Sequence, residues 1–183
     1  MKFVTALKRD YVFPTSQYPL FAVPDYSFKM YANGPKTQAN VLGYCPFTKE
    51  ARIEKHDVVV REDRERLLSA GVNVYHEQTF RRSNSATLRP DIVAIIGGVG
   101  HVIDVTIRYE DEEEIGRAFT EKQVKYDDLR GDVLTRHPDL RGFGVVPLAF
   151  GSRRAFPRDT RDALALLGFP RDSMIYWASL GTV

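Results

Sequence analysis

Hydrophobic side chains follow a helical period from residue 50 to residue 70, where they recur among charged residues. The hydrophobic positions of this segment are Ile53, Val60, Leu67 and Leu68. Gly71 then stands where a helix would end, because glycine readily adopts the left-handed conformation of a helix C-terminus. Residues 72–80 alternate between hydrophobic and polar side chains, and residues 81–89 are polar and contain arginines. The pattern predicts an amphipathic helix, a strand and a polar loop.

Two runs rich in β-branched residues follow within residues 89–111, on either side of a glycine cluster. The glycines are Gly97, Gly98 and Gly100. This arrangement predicts a β-hairpin, which we place with Ile96 opposite His101. One face of that hairpin is then entirely apolar and consists of Ile92, Ala94, Ile96, Ile103, Val105 and Ile107. Burying this face presents Asp91, Asp104, Thr106 and Arg108 together on the other face.

The remaining pattern predicts further helices and strands. Hydrophobic residues at helical spacing indicate a helix over 112–135, with a stripe made of Ile115, Phe119, Tyr126, Leu129 and Val133. The later elements are a strand at 145–150, a helix at 159–167 stopped by Gly168, and a strand at 174–180. The fold class is therefore α/β, with a central mixed β-sheet of about four to five strands flanked by helices. Residues 1–49 are irregular and rich in proline and aromatic residues, after a short helix at 2–9.

Composition narrows the functional class without defining it. The chain has 183 residues, 43% of them hydrophobic and 27% charged, as in an ordinary globular protein. No apolar run approaches the roughly 18 to 20 residues that a membrane span requires, and no export signal begins the chain. Cys45 is the single cysteine, so no internal disulfide forms. A net charge of +2 is too small to identify a nucleic-acid-binding protein.

Two aspartates on an otherwise apolar hairpin are the first candidate site. In the predicted register Asp91 faces Thr106 and Asp104 faces Val93, so the two aspartates are diagonal neighbours with Cα atoms roughly 7 to 8 Å apart. Two carboxylates at that separation can reach one cation between them. Simple solvation of the two side chains at a strand end or an exposed edge remains the alternative.

A lysine interrupts the apolar stripe of the predicted second helix. Lys122 lies between Phe119 and Tyr126, where the helical period requires an apolar residue, and Lys125 lies at the margin of the stripe. Lysine is rarely buried without a partner, although its stem can pack while its ammonium reaches water. Beside two metal-bound carboxylates, such an ammonium can orient a water molecule or offset developing charge.

These residues resemble the motif of the PD-(D/E)XK nuclease superfamily, whose core has the order helix, three strands, helix, strand. Pro90 and Asp91 correspond to the PD pair and Asp104 to the second acid. Thr106 departs from the motif, which usually has lysine there, and Lys122 would take its place. A lysine displaced to the following helix, in the run AFTEKQVKYDDL, is similar to the restriction-like endonuclease domain of site-specific non-LTR retrotransposons.

Nearly the whole chain takes part in this resemblance. The segments KFVTALKRDYVFPT, NVLGYCPFTKEARI and ARIEKHDVVV are similar to stretches of that domain in the same order. The resemblance implies a restriction-endonuclease-like core of order αβββαβαβ in residues 50–183, preceded by a degenerate zinc-knuckle region in residues 1–49. Cys45 stands where the last ligand of that knuckle would be and Asn40 where its histidine would be. One cysteine cannot hold a structural zinc, which needs four ligands, so we predict no zinc.

The resemblance further implies a Mg²⁺-dependent endonuclease, with Mn²⁺ able to substitute. It would nick target DNA so that the free 3′-hydroxyl primes reverse transcription of the element's RNA. In that family the domain belongs to a larger polyprotein with the reverse transcriptase, so this chain is either an excised domain or a detached descendant. The expected partners are DNA and, within the polyprotein, the reverse transcriptase and RNA; no membrane is involved, and the expected location is nuclear.

The catalytic roles follow from the same resemblance. Asp91 and Asp104 would bind the metal ion, with the Val105 carbonyl as a further oxygen ligand. Lys122 would orient the attacking water or offset charge, and Lys125 and Tyr126 would contact the scissile phosphate or hold Lys122.

Other side chains are secondary candidates. The arginines expected to bind DNA phosphates are Arg81, Arg82, Arg89 and Arg108. His56 and Glu77 are auxiliary candidates, as a residue near the active face and as an additional acid.

Two other functions remain open. One is a structure-selective nuclease of the same superfamily that prefers branched or flap DNA to linear duplex. The other is a nuclease fold whose catalytic site has lapsed and which binds DNA or a protein; Thr106 and the lost zinc knuckle keep this alternative open.

Overall fold

The computed structural model describes residues 49–81, 87–108, 112–152 and 155–170. In this part of the chain the fold is mixed α/β. The helices are α1 (Lys49–Ser69), α2 (Glu112–Asp127), α3 (Arg130–Arg136) and α4 (Arg158–Leu166). The strands are β1 (Asn73–His76), β2 (Phe80–Arg81), β3 (Thr87–Leu88), β4 (Ile92–Ile96), β5 (Val99–Arg108) and β6 (Gly142–Gly151). Among these helices, none combines the length and apolar character needed to cross a membrane.

The main sheet has four strands in the order β1-β4-β5-β6. Strands β1, β4 and β5 are antiparallel neighbours, whereas β6 runs parallel to β5. The sheet is therefore mixed, which confirms the predicted sheet type and strand number. Strands β2 and β3 form a separate two-stranded ladder. Phe80 was predicted at the end of the strand at 72–80, and the other three residues of this ladder lie in the segment predicted to be a polar loop.

The β4–β5 hairpin forms, but its register differs from the prediction by two residues. Ile96 pairs with Val99 rather than with His101, and Ile92 pairs with Ile103. Gly97 and Gly98 have φ angles of 58° and 78°, so they close a two-residue loop that needs two left-handed residues and matches the twist of the strands. The predicted longer turn included Gly100, which instead pairs within the sheet.

The hairpin carries an apolar core on each of its two faces. The predicted apolar face, which includes Ile92 and Ile103, packs with side chains of α1, β6 and α4, among them Val59, Leu148 and Leu164. The opposite face is also covered, because Val93 and Val102 pack with Tyr126, Leu129 and Val133 from α2 and its continuation. Asp104 and Thr106 are therefore buried, so the alternative that Asp104 is solvated at an exposed edge is wrong.

Two predicted elements are shorter than expected. The predicted strand at 72–80 ends at His76, because Glu77 adopts a φ of 50°, a left-handed conformation that is not compatible with an extended strand. The predicted helix at 112–135 is divided into α2 and α3 at a turn in which the amide of Leu129 donates to the carbonyl of Tyr126. The buried stripe continues across that turn through Leu129 and Val133.

The first predicted helix, the strand at 145–150 and the helix at 159–167 correspond to α1, β6 and α4. Three predictions concern residues outside the described ones. They are the helix at 2–9, the irregular region 1–49 except for its last residue, and the strand at 174–180. Arg82, Asn40 and Cys45 also lie outside the described residues.

Candidate carboxylate and lysine site

Asp104 lies in the middle of β5 and is almost completely buried, with 2% of its surface exposed. Its side chain is on the face covered by α2, and the Lys122 ammonium lies 2.5 Å from its Oδ2 atom. Within the described part of the chain, this oxygen accepts no aligned hydrogen bond, so the contact is an ion pair. A buried carboxylate requires a compensating charge, and the lysine that interrupts the stripe of α2 supplies it.

Asp91 precedes β4 and holds its carboxylate against the neighbouring strand. Its Oδ2 atom accepts a 2.7 Å hydrogen bond from the backbone amide of Val105 and lies 3.2 Å from Nε2 of His56. Its backbone carbonyl accepts from the amide of Glu77. Continuing the observed β4–β5 register by one residue sets Asp91 directly opposite Asp104, rather than diagonal to it as predicted.

His56 lies between two carboxylates. Its Nε2 atom meets Asp91, and its Nδ1 atom lies 2.9 Å from Oδ1 of Asp57 on the same helix. The hydrogen bond to Asp91 is the largest influence and raises the pKa of His56 from 6.5 to about 9, while burial opposes that rise. The predicted auxiliary residue is therefore next to Asp91.

Tyr126 and Lys125 lie beside this site at the end of α2. The Lys125 ammonium donates to the Tyr126 hydroxyl at 2.9 Å and lies 4.5 Å from the centre of its ring. The Tyr126 hydroxyl also lies 3.5 Å from the carbonyl of Arg89. Burial, followed by the interaction with Asp104, raises the pKa of the Tyr126 hydroxyl above its usual value, so it remains protonated as a donor.

The remaining predicted residues are less closely grouped. Arg89 pairs with Glu77, so this glutamate is engaged with an arginine instead of with the two aspartates. Arg81 is exposed on β2, and Arg108 is exposed at the end of β5. Arg108 lines a pocket together with four residues of α2, which are Glu114, Arg117, Ala118 and Glu121.

Asp63 is a buried acid that the sequence interpretation missed. It is completely buried on α1, and neither side-chain oxygen has a hydrogen-bond partner within the described residues. Burial raises the pKa of its carboxyl well above the usual value; Arg66 opposes this effect and Asp91 adds to it. Asp63 lies between Val60 and Leu67 on the buried side of α1. The criterion that selected Lys122, a charge within an apolar stripe, would have found it.

The oxygen atoms at this site are compatible with a magnesium ion that also binds water or substrate, and not with one enclosed by protein ligands alone. Asp91 and Asp104 provide carboxylates on facing backbone positions, and Mg²⁺ is commonly bound by one or two carboxylates together with waters and substrate phosphates. In the described ranges, no cluster of three or more His, Cys, Asp or Glu side chains could hold a metal ion by itself. Among the described residues, Oδ2 of Asp104 accepts no hydrogen bond and lies against the Lys122 ammonium, so it is a carboxylate oxygen that a cation could also contact.

The described residues thus form a buried acidic site, with a lysine from a separate helix, on a mixed α/β fold. Comparison with known proteins relates this chain to retrotransposon polyproteins. It is 28% identical over 143 residues to a Retrovirus-related Pol polyprotein from type-1 retrotransposable element R2 of Popillia japonica, covering 77% of this chain and 20% of that protein. A second polyprotein of the same description is 30% identical over 143 residues, covering 77% of this chain and 29% of its own length.

No family model matches the chain. The similarity nevertheless establishes homology to part of the R2 Pol polyprotein, which supports a retrotransposon-related role for this region. The chain spans between 20% and 30% of the length of the curated relatives it matches.

Proposed function

We propose that this chain is a metal-dependent endonuclease that nicks target DNA, so that the new 3′ end primes reverse transcription of a retrotransposable element's RNA. The observation that carries the proposal is the ion pair between Lys122 and Asp104, whose backbone position faces that of Asp91 across the hairpin. Homology to R2 Pol polyproteins supports the retrotransposon context.

Asp91 and Asp104 are the residues that would hold Mg²⁺ or Mn²⁺, with the carbonyl of Val105 as a further oxygen donor. When bound, the metal ion supplies Lewis-acid stabilisation and a more acidic water. Asp104 itself is rigidly placed, because it lies within a strand that pairs on both sides. Rigid elements position reacting groups more accurately than loops do.

Lys122 has two functions in this proposal. Before substrate binds, it neutralises the buried carboxylate of Asp104. With a DNA phosphate bound at the site, its ammonium would offset the negative charge that develops on the phosphate oxygens during cleavage. Lys125 and Tyr126 support it, because the Tyr126 hydroxyl and the two ammonium groups form one donor cluster at this end of α2.

Phosphate contacts would come from arginines around the site. Arg81, Arg89 and Arg108 are described, and Arg108 and Arg117 line one pocket together. Such contacts give affinity without reading the sequence of the DNA, so target choice would depend on other parts of a larger protein. In that context the reverse transcriptase and the element's RNA are the proposed partners, and the nucleus is the proposed location.

The fold proposed for this region is a restriction-endonuclease-like core. Its support is the order of α1, the strands up to β5, α2 and β6, together with the acids on the central hairpin. In that scheme Lys122 takes the role of the lysine that the motif usually has at the position of Thr106, since it reaches Asp104 from the next helix.

A plasmid-nicking assay with Mg²⁺ and Mn²⁺ tests the function. The variants are Asp91→Asn, Asp104→Asn and Lys122→Met, and the matched control is Asp127→Asn, an exposed aspartate on α2 paired only with the side chain of Arg130 among the contacts described. We expect nicking by the wild type and the control, and a loss of at least about 100-fold in each of the three site variants.

Linear, bubble and branched DNA compared in the same assay would identify a structure-selective nuclease. Retained nicking in Asp91→Asn or Asp104→Asn would refute the proposed site. Tight DNA binding by a folded wild-type protein, without metal binding and without nicking, would instead favour a lapsed nuclease fold that acts as a binding module.

A further inference from the structure

The Asp91 carboxylate is held asymmetrically. The backbone amide of Val105 and the ring of His56 both approach the same oxygen, Oδ2, at 2.7 Å and 3.2 Å. The backbone of Asp91 is fixed as well, because its carbonyl accepts from the amide of Glu77. Two donors on one oxygen restrict the rotation of a carboxylate, and neither of these contacts involves the other oxygen, Oδ1.

The two acids of the site are held from opposite faces of the sheet. Lys122 reaches Asp104 from α2, which packs on the face containing Val93 and Val102. His56 reaches Asp91 from α1, whose side chains pack with Ile92 and Ile103 on the other face. The ring of His56 is itself fixed through its Nδ1 atom, which lies 2.9 Å from the Asp57 carboxylate.

We propose that His56 is a positioning residue that fixes the Asp91 carboxylate, so that Oδ1 is the oxygen presented to a divalent cation. This inference rests on the proposed metal-dependent function. His56 is not a metal ligand in this arrangement, because both of its ring nitrogens already face carboxylates, Nδ1 facing Asp57 and Nε2 facing Asp91. Partners that orient metal ligands in this way commonly contribute 10- to 100-fold to metal affinity or activity.

Two substitutions distinguish a positioning role of His56 from its other roles. Both introduce a side-chain amide, but the two side chains differ in length. In His56→Gln, the side-chain amide nitrogen reaches about as far as Nε2 of histidine and can still donate to Asp91. In His56→Asn, the amide nitrogen lies near the place of Nδ1 and falls short of Asp91. Both variants keep an uncharged amide on α1, so their effects on the helix are closely matched.

The first measurement uses the full chain without metal. The ¹⁵N–¹H signal and the hydrogen exchange of the Val105 amide report directly on its bond to Asp91 Oδ2. We expect His56→Asn to shift this signal and to speed its exchange at least about threefold, because the carboxylate gains rotational freedom. We expect His56→Gln to leave the signal near its wild-type position.

The second measurement is a calorimetric titration with Mn²⁺, followed by nicking at increasing Mn²⁺. His56→Asn is expected to weaken Mn²⁺ binding about 10-fold or more and to raise the Mn²⁺ concentration for half-maximal nicking equally, with the rate at saturating Mn²⁺ within about threefold of the wild type. His56→Gln is expected to restore the wild-type Mn²⁺ affinity.

The outcomes separate this inference from the proposed function. An unchanged Val105 amide in folded His56→Asn overturns the inference, whatever the nicking assay gives. An equal loss of Mn²⁺ affinity in both variants also overturns it, since the glutamine should rescue a positioning role. A wild type that binds no Mn²⁺ and does not nick refutes the metal-dependent function and with it the cation role of His56, whereas the Val105 amide still reports whether His56 orients the carboxylate.

Discussion

Replacing Lys122 with methionine removes one partner of the most deeply placed ion pair described in this chain. Methionine keeps the length and the helix propensity of the side chain but not its charge. Asp104 is 2% exposed and would be left in the interior without the ammonium of its ion-pair partner, whereas Lys122 keeps 22% of its side chain exposed. We therefore expect Lys122→Met to destabilise the fold in the absence of divalent metal.

The magnitude follows from these exposures. Breaking a fully buried pair by removing one partner costs about 3–5 kcal/mol, because a buried charge remains uncompensated. The partly exposed side chain of Lys122 indicates that water reaches one side of the pair, so we expect a loss below that range, of about 2 kcal/mol. For a protein of this size, that loss lowers the melting temperature by about 4–8 °C.

Urea denaturation of a double-mutant cycle measures the pair itself. The cycle contains the wild type, Lys122→Met, Asp104→Asn and the double variant, each in buffer with EDTA. We expect the loss caused by Lys122→Met to fall to near zero when Asp104 is already asparagine, which corresponds to a coupling of about 2 kcal/mol. Lys125→Met is the control on the same helix, since its ammonium meets the Tyr126 hydroxyl, and its loss should be under about 1 kcal/mol.

Equal losses from Lys122→Met in both backgrounds would refute the reasoning, because the lysine would then act by packing alone. A second check is the addition of Mg²⁺ to Lys122→Met. A cation that occupies the place of the ammonium should recover part of the lost stability, and it should raise the melting temperature of this variant more than that of the wild type.

Three further predictions concern stability. Asp63→Ala should stabilise the metal-free protein by about 1 kcal/mol or more in urea denaturation at pH 7, because it removes a buried carboxyl that makes no hydrogen bond to any described residue; a loss would contradict that view. The stabilisation from His56, whose pKa rises from 6.5 to about 9 on folding, should be fully present below pH 6.5 and disappear as the pH rises through 9, with an amplitude on the order of 1–2 kcal/mol. A His56→Gln variant with the same pH profile would argue against this origin. Gly100→Ala should lower the free energy of unfolding by about 1–3 kcal/mol, since its Cβ would lie 2.8 Å from Leu140 Cδ1. A Cβ at Gly131 on α3 would meet no described atom within 4 Å, so Gly131→Ala should raise the free energy of unfolding by about 0.5–1 kcal/mol, and thermal melts giving the opposite order would be inconsistent with the packing.

Periodicity predicted most of the fold because the elements around the site have one face that packs. The apolar face of the hairpin was correct although the register was wrong by two residues. A shift of two residues in the pairing keeps every side chain on its face, so alternation alone cannot detect it. Only the left-handed conformation of both Gly97 and Gly98 selects the tight turn.

Some contacts of the site have a signal in the sequence, and others do not. Lys122 was found from a charge within an apolar stripe, and it does lie against Asp104. Asp63 has the same signal on α1 and was overlooked, since the hydrophobic pattern there was weighed only for helix formation. The pairing of Glu77 depends on its φ of 50° and on the position of Arg89. Neither can be predicted from the alternation of side chains along one strand.

The position of Asp104 within β5 has a consequence for local unfolding. This strand is held by β4 on one side and β6 on the other, and it is buried through all its central residues. Helix α2 covers one face only, so an opening of α2 separates Lys122 from Asp104 while the sheet remains paired. The acid and its lysine therefore belong to parts of the fold with different local stability. We expect heating to disassemble the site below the temperature at which the strands melt.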